Sequence, residues 1–225
     1  YFIDGNKIED PIVIANMEKS AEMSTDVILF DIESMSADKE NSKEAVLKTF
    51  LRMFNDKLGY DNMHPSIAEF ERQCDEDGMY EAFKAKYKEV SGNDWVDDRK
   101  KIKVRRKKFV ETVTSLDIMA EEDANKTIDN VYSSYSISVS DFAQIVNDYC
   151  LRKGPNHRVV FLADEMGQYV ADNTSLLLNL QTISEDFSTY CKGKAWIIVT
   201  SQQNIDDITH VSGEDFSKIQ ARFNM

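Results

Sequence analysis

Apolar residues recur along this chain in two rhythms, one extended and one helical. The run TDVILFDIE, residues 25–33, is apolar, β-branched and bounded by polar residues, which predicts a buried strand of a mostly parallel sheet. Residues 11–23 read as a helix leading into that strand. After it, Val46, Leu47, Phe50, Leu51, Phe54 and Leu58 repeat at helical spacing. Asn41 and Glu44 are placed there as a capping box and Gly59 as the stop. From about 60 to 130 the apolar positions thin out but keep three- and four-residue intervals: Phe70, Tyr80, Phe83, Tyr87, Phe109, Val110, Val113 and Leu116. That stretch predicts a helical insertion.

The pattern sharpens again toward the C-terminal side. Ser140 is placed to cap a helix carrying Phe142, Ile145, Val146, Tyr149 and Cys150, which Gly154-Pro155 ends. The strand HRVVFLADE follows from residue 157. A helix from Asn173 or Thr174 carries Leu176, Leu177, Leu180, Ile183 and Phe187 and stops near Gly193, and AWIIVTSQQ, 195–203, is a further buried strand. Helix, strand, helix, strand with short joins predicts an α/β fold with a parallel sheet and crossover helices.

Composition bounds the reading. The 225 residues are 42% hydrophobic, enough for a proper core. Forty acids against 27 bases give a net charge of -13, which argues against the whole surface being a nucleic-acid platform. A local exception is RKKIKVRRKK, 99–108, with eight bases in ten residues. This run is placed either to contact DNA phosphates or to offset nearby acids as a solvated face. No apolar run reaches the length of a membrane span and no basic-then-apolar leader is present, so the expectation is a cytoplasmic protein. Cys74, Cys150 and Cys191 are odd in number and widely spaced, the pattern of reduced core thiols.

Two adjacent acids, Asp164 and Glu165, end the strand at 157, and like charges side by side call for a cation. In open parallel sheets ligands bind at the carboxyl ends of strands, which places this pair and Thr200, Ser201 and Gln202 on one rim. Phosphoryl-transfer ATPases use such a pair. The aspartate, here Asp164, holds Mg2+, and the glutamate, here Glu165, orients and deprotonates the attacking water. Thr200, Ser201 or Gln202 then suit contact with the terminal phosphate of ATP, the sensor role in AAA+ ring ATPases. Arg222 in FSKIQARFNM suits an arginine finger offered to a neighbouring subunit, hence a homo-oligomer. The phosphate-cradling loop G-x-x-x-x-G-K-[ST] does not occur in these residues, and the expectation is that it lies upstream of Tyr1 in a longer chain. An alternative starts from Asp31 and Glu33 as metal ligands of a proofreading-type exonuclease, a fold that runs on into antiparallel strands.

FLADEMGQYV, LLLNLQTISEDFSTYCKGKAWIIVTSQQNID and FSKIQARFN resemble the large P-loop ATPase of bacterial BREX phage-defence systems, the BrxC/PglY family. The resemblance is most specific over residues 157–225, and DVILFDIESMS also fits. It implies an ATP-hydrolysing component of a defence complex working with a DNA methyltransferase and other BREX components. It also implies that Asp164 and Glu165 are the Walker B pair, with Ser201 or Gln202 as sensor and Arg222 as finger. The architecture expected is an AAA+-like P-loop NTPase core over 1–40 and 131–225 with a helical insertion at 41–130. The non-enzymatic alternative is a scaffold module of the same kind of complex that recruits partners without turnover.

Overall fold

The structure, a computed structural model, describes residues 7–32, 44–132, 135–166 and 174–200, together with Gly5 and Tyr169. In chain order its elements are α1 (Pro11–Ala21), β1 (Ser24–Asp31), α2 (Ala45–Leu58), α3 (Pro65–Glu76), α4 (Tyr80–Ser91), α5 (Trp95–Asp98), α6 (Arg106–Ser115), α7 (Glu121–Asp129), α8 (Val139–Lys153), β2 (His157–Asp164), α9 (Thr174–Asp186) and β3 (Ala195–Val199). The chain divides into two compact units, Tyr1–Thr49 with Ser138–Met225, and Phe50–Ile137. Both divisions fall a few residues later than the insertion bounds expected at 41 and 130. At the first, α2 runs unbroken from Ala45 to Leu58, so the boundary lies inside a helix rather than before it.

The first unit is α/β. Its described strands form one parallel sheet in the order β1-β2-β3. Val159, Phe161 and Ala163 alternate as the buried side of β2, and in register with them Ile28 and Phe30 of β1 are buried too. This face carries the helices. Phe142 of α8 meets Phe161 at 6.2 Å and Phe187 at 5.6 Å, and Phe161 meets Phe187 at 5.5 Å. Right-handed crossovers explain why α8 and α9 share a side, since the strands advance in one direction across the sheet.

The caps of these helices refine the sequence reading. Ser138, not Ser140, caps α8: its Oγ accepts the Asp141 N–H at 3.0 Å while the Asp141 carboxylate accepts the Ser138 N–H at 3.4 Å. A capping box needs an acid three residues on, and only Ser138 has one. At its far end α9 does not stop but widens into a π-helical turn, Phe187–Cys191, which closes at Lys192 with φ +49° and Gly193 with φ +86°. The expected cap Asn41 lies outside the described residues, whereas Gly59 does end α2, with φ +79°.

The second unit is helical. Its centre is aromatic: Phe70 meets Phe83 at 5.0 Å, Trp95 meets Phe83 at 4.9 Å and Tyr87 at 5.1 Å, and Phe109 meets Phe70 at 5.1 Å, all edge to face. Among these rings sits Glu71, fully buried. Its Oε1 accepts from Tyr80 OH at 2.9 Å, Trp95 Nε1 at 2.6 Å and Arg99 at 2.7 Å, and its Oε2 accepts the Asp61 N–H. Four donors on one carboxylate make it the polar hub of this unit.

Candidate functional site

The two acids stand where the strand pattern places them, at the carboxyl end of β2. Register assigns each side chain a face. Val27, Val160 and Trp196 form one row across the three strands and Leu29, Leu162 and Ile198 the next, all on the face opposite α8 and α9. Asp31 pairs with Asp164 in the following row. The Thr200 N–H donates to the Ala163 carbonyl at 3.1 Å, extending the β3 ladder by one step, so Thr200 completes that row beside Asp164. Two apolar rows are thus capped by a polar row of Asp31, Asp164 and Thr200 on the same side of the sheet.

That side is open. Val27, Leu29, Trp196 and Ile198 are 45%, 69%, 54% and 50% exposed, against 0% for Val159 and Phe161 on the helix-covered side. The polar row therefore faces space rather than packed helix.

Hydrogen bonds tie the rim together. Thr200 Oγ1 donates to Asp164 Oδ1, and the Glu165 N–H donates to Asp164 Oδ1 at 3.1 Å and to Thr200 Oγ1 at 3.1 Å. Among the described residues both hydrogen bonds to the Asp164 carboxylate use Oδ1, which leaves Oδ2 for a ligand. Glu165 has φ +56°, left-handed backbone that costs a non-glycine residue about 1–2 kcal/mol. Among the described residues Asp117 and Lys192 share this feature, at φ 56° and 49°, but each follows the end of a helical segment, where it closes the turn. Glu165 follows a strand instead: its N–H donates to Asp164 Oδ1 and Thr200 Oγ1, and its carbonyl accepts the Tyr169 N–H at 3.4 Å.

The donor set fits magnesium. A hard cation that keeps several waters needs one or two carboxylates rather than a cage, and exposed Asp164, held through one oxygen by Thr200, offers that. Among the described residues no group of three or more His, Cys, Asp or Glu is gathered to hold a metal, so a cation here would draw its remaining ligands from water and phosphate oxygens.

Of the expected site residues, Asp164, Glu165 and Thr200 come together, and Ser201, Gln202 and Arg222 lie outside the described residues. Asp31 shares the rim; its neighbour in the exonuclease reading, Glu33, lies outside the described residues, and the described strand pairs are all parallel. A cluster that no sequence motif marks lies at the opposite, amino end of the strands. There His157, buried, has Nδ1 at 2.8 Å from Ser24 Oγ and Nε2 at 3.2 Å from Asp26, whose carboxylate also accepts from Tyr149 OH. This cluster ties α8 to the start of the sheet. Its only signal in sequence was a histidine opening an apolar strand.

The three cysteines are free and buried. Burial pushes the Cys74 and Cys191 thiols up to about 12 and Cys150 up to about 11, which keeps them protonated and inert. Among the described residues no helix is long and apolar enough to cross a membrane. No family model matches the chain, and no solved structure matches it.

Proposed function

We propose that this chain carries the metal-and-water half of a P-loop, AAA+-like ATPase site, in the ATP-hydrolysing component of a bacterial BREX anti-phage complex. The observation that carries the reading is the convergence of Asp164, Glu165 and Thr200 on the rim of adjacent parallel strands, with Glu165 held in a strained backbone. In this mechanism Asp164 would hold Mg2+. Thr200 fixes the Asp164 carboxylate by donating to Oδ1. Glu165 orients the attacking water and takes its proton as the water oxygen bonds to the terminal phosphorus and the bond from that phosphorus to the bridging oxygen breaks, releasing ADP. Magnesium bound there would offset the charge that develops on the phosphate oxygens.

The open face supports a phosphate loop outside this sequence. A β-α unit feeding β1 by a right-handed crossover, with its helix on the open face, must advance opposite to β1-β2-β3. Its strand would then pair with the edge of β3 that no described strand occupies, and the loop at that strand's carboxyl end would lie beside Asp164 and Thr200. The helix would cover Val27, Leu29, Trp196 and Ile198, which now face solvent.

The test is magnesium-dependent ATP hydrolysis by the full-length protein, wild type against Glu165→Gln, with and without partner proteins. Turnover should fall by at least about 100-fold, the range general base catalysis contributes, while nucleotide binding survives. Nucleotide binding with no turnover in the wild type under any condition sinks the enzymatic reading and leaves a scaffold.

A further inference from the structure

The basic run splits in two when the fold assigns partners to it. Arg99 is buried and bonded to Glu71; Arg105 pairs with Asp98 at 3.1 Å, Arg106 with Asp129, and Lys108 with Glu111 at 3.8 Å. Lys100, Lys101, Lys103 and Lys107 are exposed, and among the described residues none of them pairs with an acid. Their chain has 40 Asp and Glu to choose from.

Backbone geometry gathers these four on one side. Residues 99–101 are a 3-10 turn, and bonds from Ile102 to Arg99, from Val104 and Arg105 to Lys101, and from Lys108 and Phe109 to Arg105 carry helical turns into α6. Ile102 and Phe109 are fully buried and fix the inward face. Positions 100, 103 and 107, with 101 and 104, then fall outward at three- and four-residue spacing. Val104 stands among them 86% exposed. Lys100 to Lys107 spans about 10–14 Å at helical rise, the length of three or four base-pair steps.

We propose that Lys100, Lys101, Lys103 and Lys107 form a surface that grips the phosphate backbone of double-stranded DNA without reading its sequence. Like charges at this spacing destabilise a helix by a few tenths of a kcal/mol per pair. A run needed only to offset acids would be paired throughout, as its other half is. The chemistry favours a duplex over a single strand. Single strands bind by stacking bases on open aromatic rings. The exposed ring beside the patch, Tyr132, has Lys103 Nζ seated 4.3 Å over its face and His64 packed against it at 5.2 Å. Lysine ammonium groups on flexible stems suit phosphates as point charges, and no forked arginine on this face is left to read a base edge. An acidic protein surface is the competing partner.

The four lysines belong to the helical unit, so the proposal stands or falls without ATP, and binding is measured with no nucleotide present. The probes are two unrelated 20-base-pair DNA duplexes and a single strand of equal length, followed by fluorescence anisotropy against the intact protein from 50 to 200 mM salt. Four neutralised phosphates give a slope of log K against log salt of about -3.6, which is a loss of about 150-fold across that range. Both duplexes should bind alike and more tightly than the single strand. Lys100→Gln/Lys107→Gln should halve the slope, and the fourfold Gln variant should abolish binding while buried Trp95 keeps its native fluorescence. A control with three lysines of α4 changed, Lys84→Gln/Lys86→Gln/Lys88→Gln, alters net charge by nearly as much and should bind like wild type. Absence of duplex binding at 50 mM salt, a fourfold variant that binds normally, or an equal loss in the control overturns the proposal. So does a preference for the single strand.

Discussion

Arg99 opens the basic run, yet the fold uses it as core, and its replacement gives a sharp test of the buried network. Its guanidinium donates to Glu71 at 2.7 Å, to the Gly59 carbonyl at 2.9 Å and to the Tyr60 carbonyl at 3.2 Å, and it lies 3.7 Å from Asp61. Arg99→Met keeps much of the aliphatic stem and removes the charge. Breaking a buried pair on one side costs about 3–5 kcal/mol because the other charge stays behind. With a urea m-value of about 1.5 kcal/mol/M, a loss of about 4 kcal/mol lowers the midpoint by roughly 2.5 M. Trp95 is 2% exposed in this unit, and Trp196 belongs to the other, so a Trp196→Phe background isolates the signal.

The pH dependence has a definite sign. Burial raises the Glu71 carboxyl above its ordinary 4.5, and Arg99 is the largest influence pulling it back. Without Arg99 it rises further. A carboxyl with a raised folded pKa favours folding while protonated and loses that advantage as pH climbs through the folded value. The penalty of Arg99→Met should therefore be full at pH 7.5 and shrink by more than about 1 kcal/mol toward pH 5, as Glu71 takes up a proton and no longer needs a counter-charge. A cost under about 1 kcal/mol at pH 7.5, or a gap that widens on acidification, refutes the account of Glu71 as a buried anion held by Arg99.

Glu165→Gly should leave stability within about 0.5 kcal/mol of wild type by thermal melting, because relief of the φ +56° strain offsets glycine's chain entropy, yet it should end ATP turnover in the full-length protein. A clear drop in stability would mean that the side chain at 165 is structural. Thr200→Val keeps the shape but removes the donor to Asp164 and the acceptor of the Glu165 N–H, at a cost of about 1 kcal/mol in urea melts, with weaker magnesium dependence of nucleotide binding. A thiol reagent at pH 8 should label none of Cys74, Cys150 and Cys191 within minutes in the native protein and all three in urea, since burial holds them at about 11 to 12; fast native labelling counts against that burial.

Local chemistry made much of the first unit legible. Apolar runs gave the three strands within a residue or two at their starts, because a strand buried on one face needs β-branched residues between polar stops. The pairing of Asp164 with Thr200 followed from parallel strands with short crossovers. What sequence could not supply was register. The alignment of Asp31 with Asp164, and the sorting of Trp196 and Ile198 onto an open face, depend on a choice of pairing that a single strand does not encode. The Glu71 hub was out of reach for a similar reason. Its donors come from positions 10, 9, 24 and 28 residues away, each unremarkable alone.

The basic run shows how far a charge count can mislead, and what in the sequence would have corrected it. Read as composition, 99–108 is eight equal bases; read as partners, all three arginines are paired, as is one of its five lysines, and the other four lysines are not. The division follows side-chain chemistry. A guanidinium is weakly hydrated and carries several donors, so it gives up water more readily to pair with Glu71, Asp98 and Asp129. An ammonium holds its water and stays outside. Arginine at 99, 105 and 106 lies on the paired side of the run, and lysine at 100, 101, 103 and 107 on its exposed side.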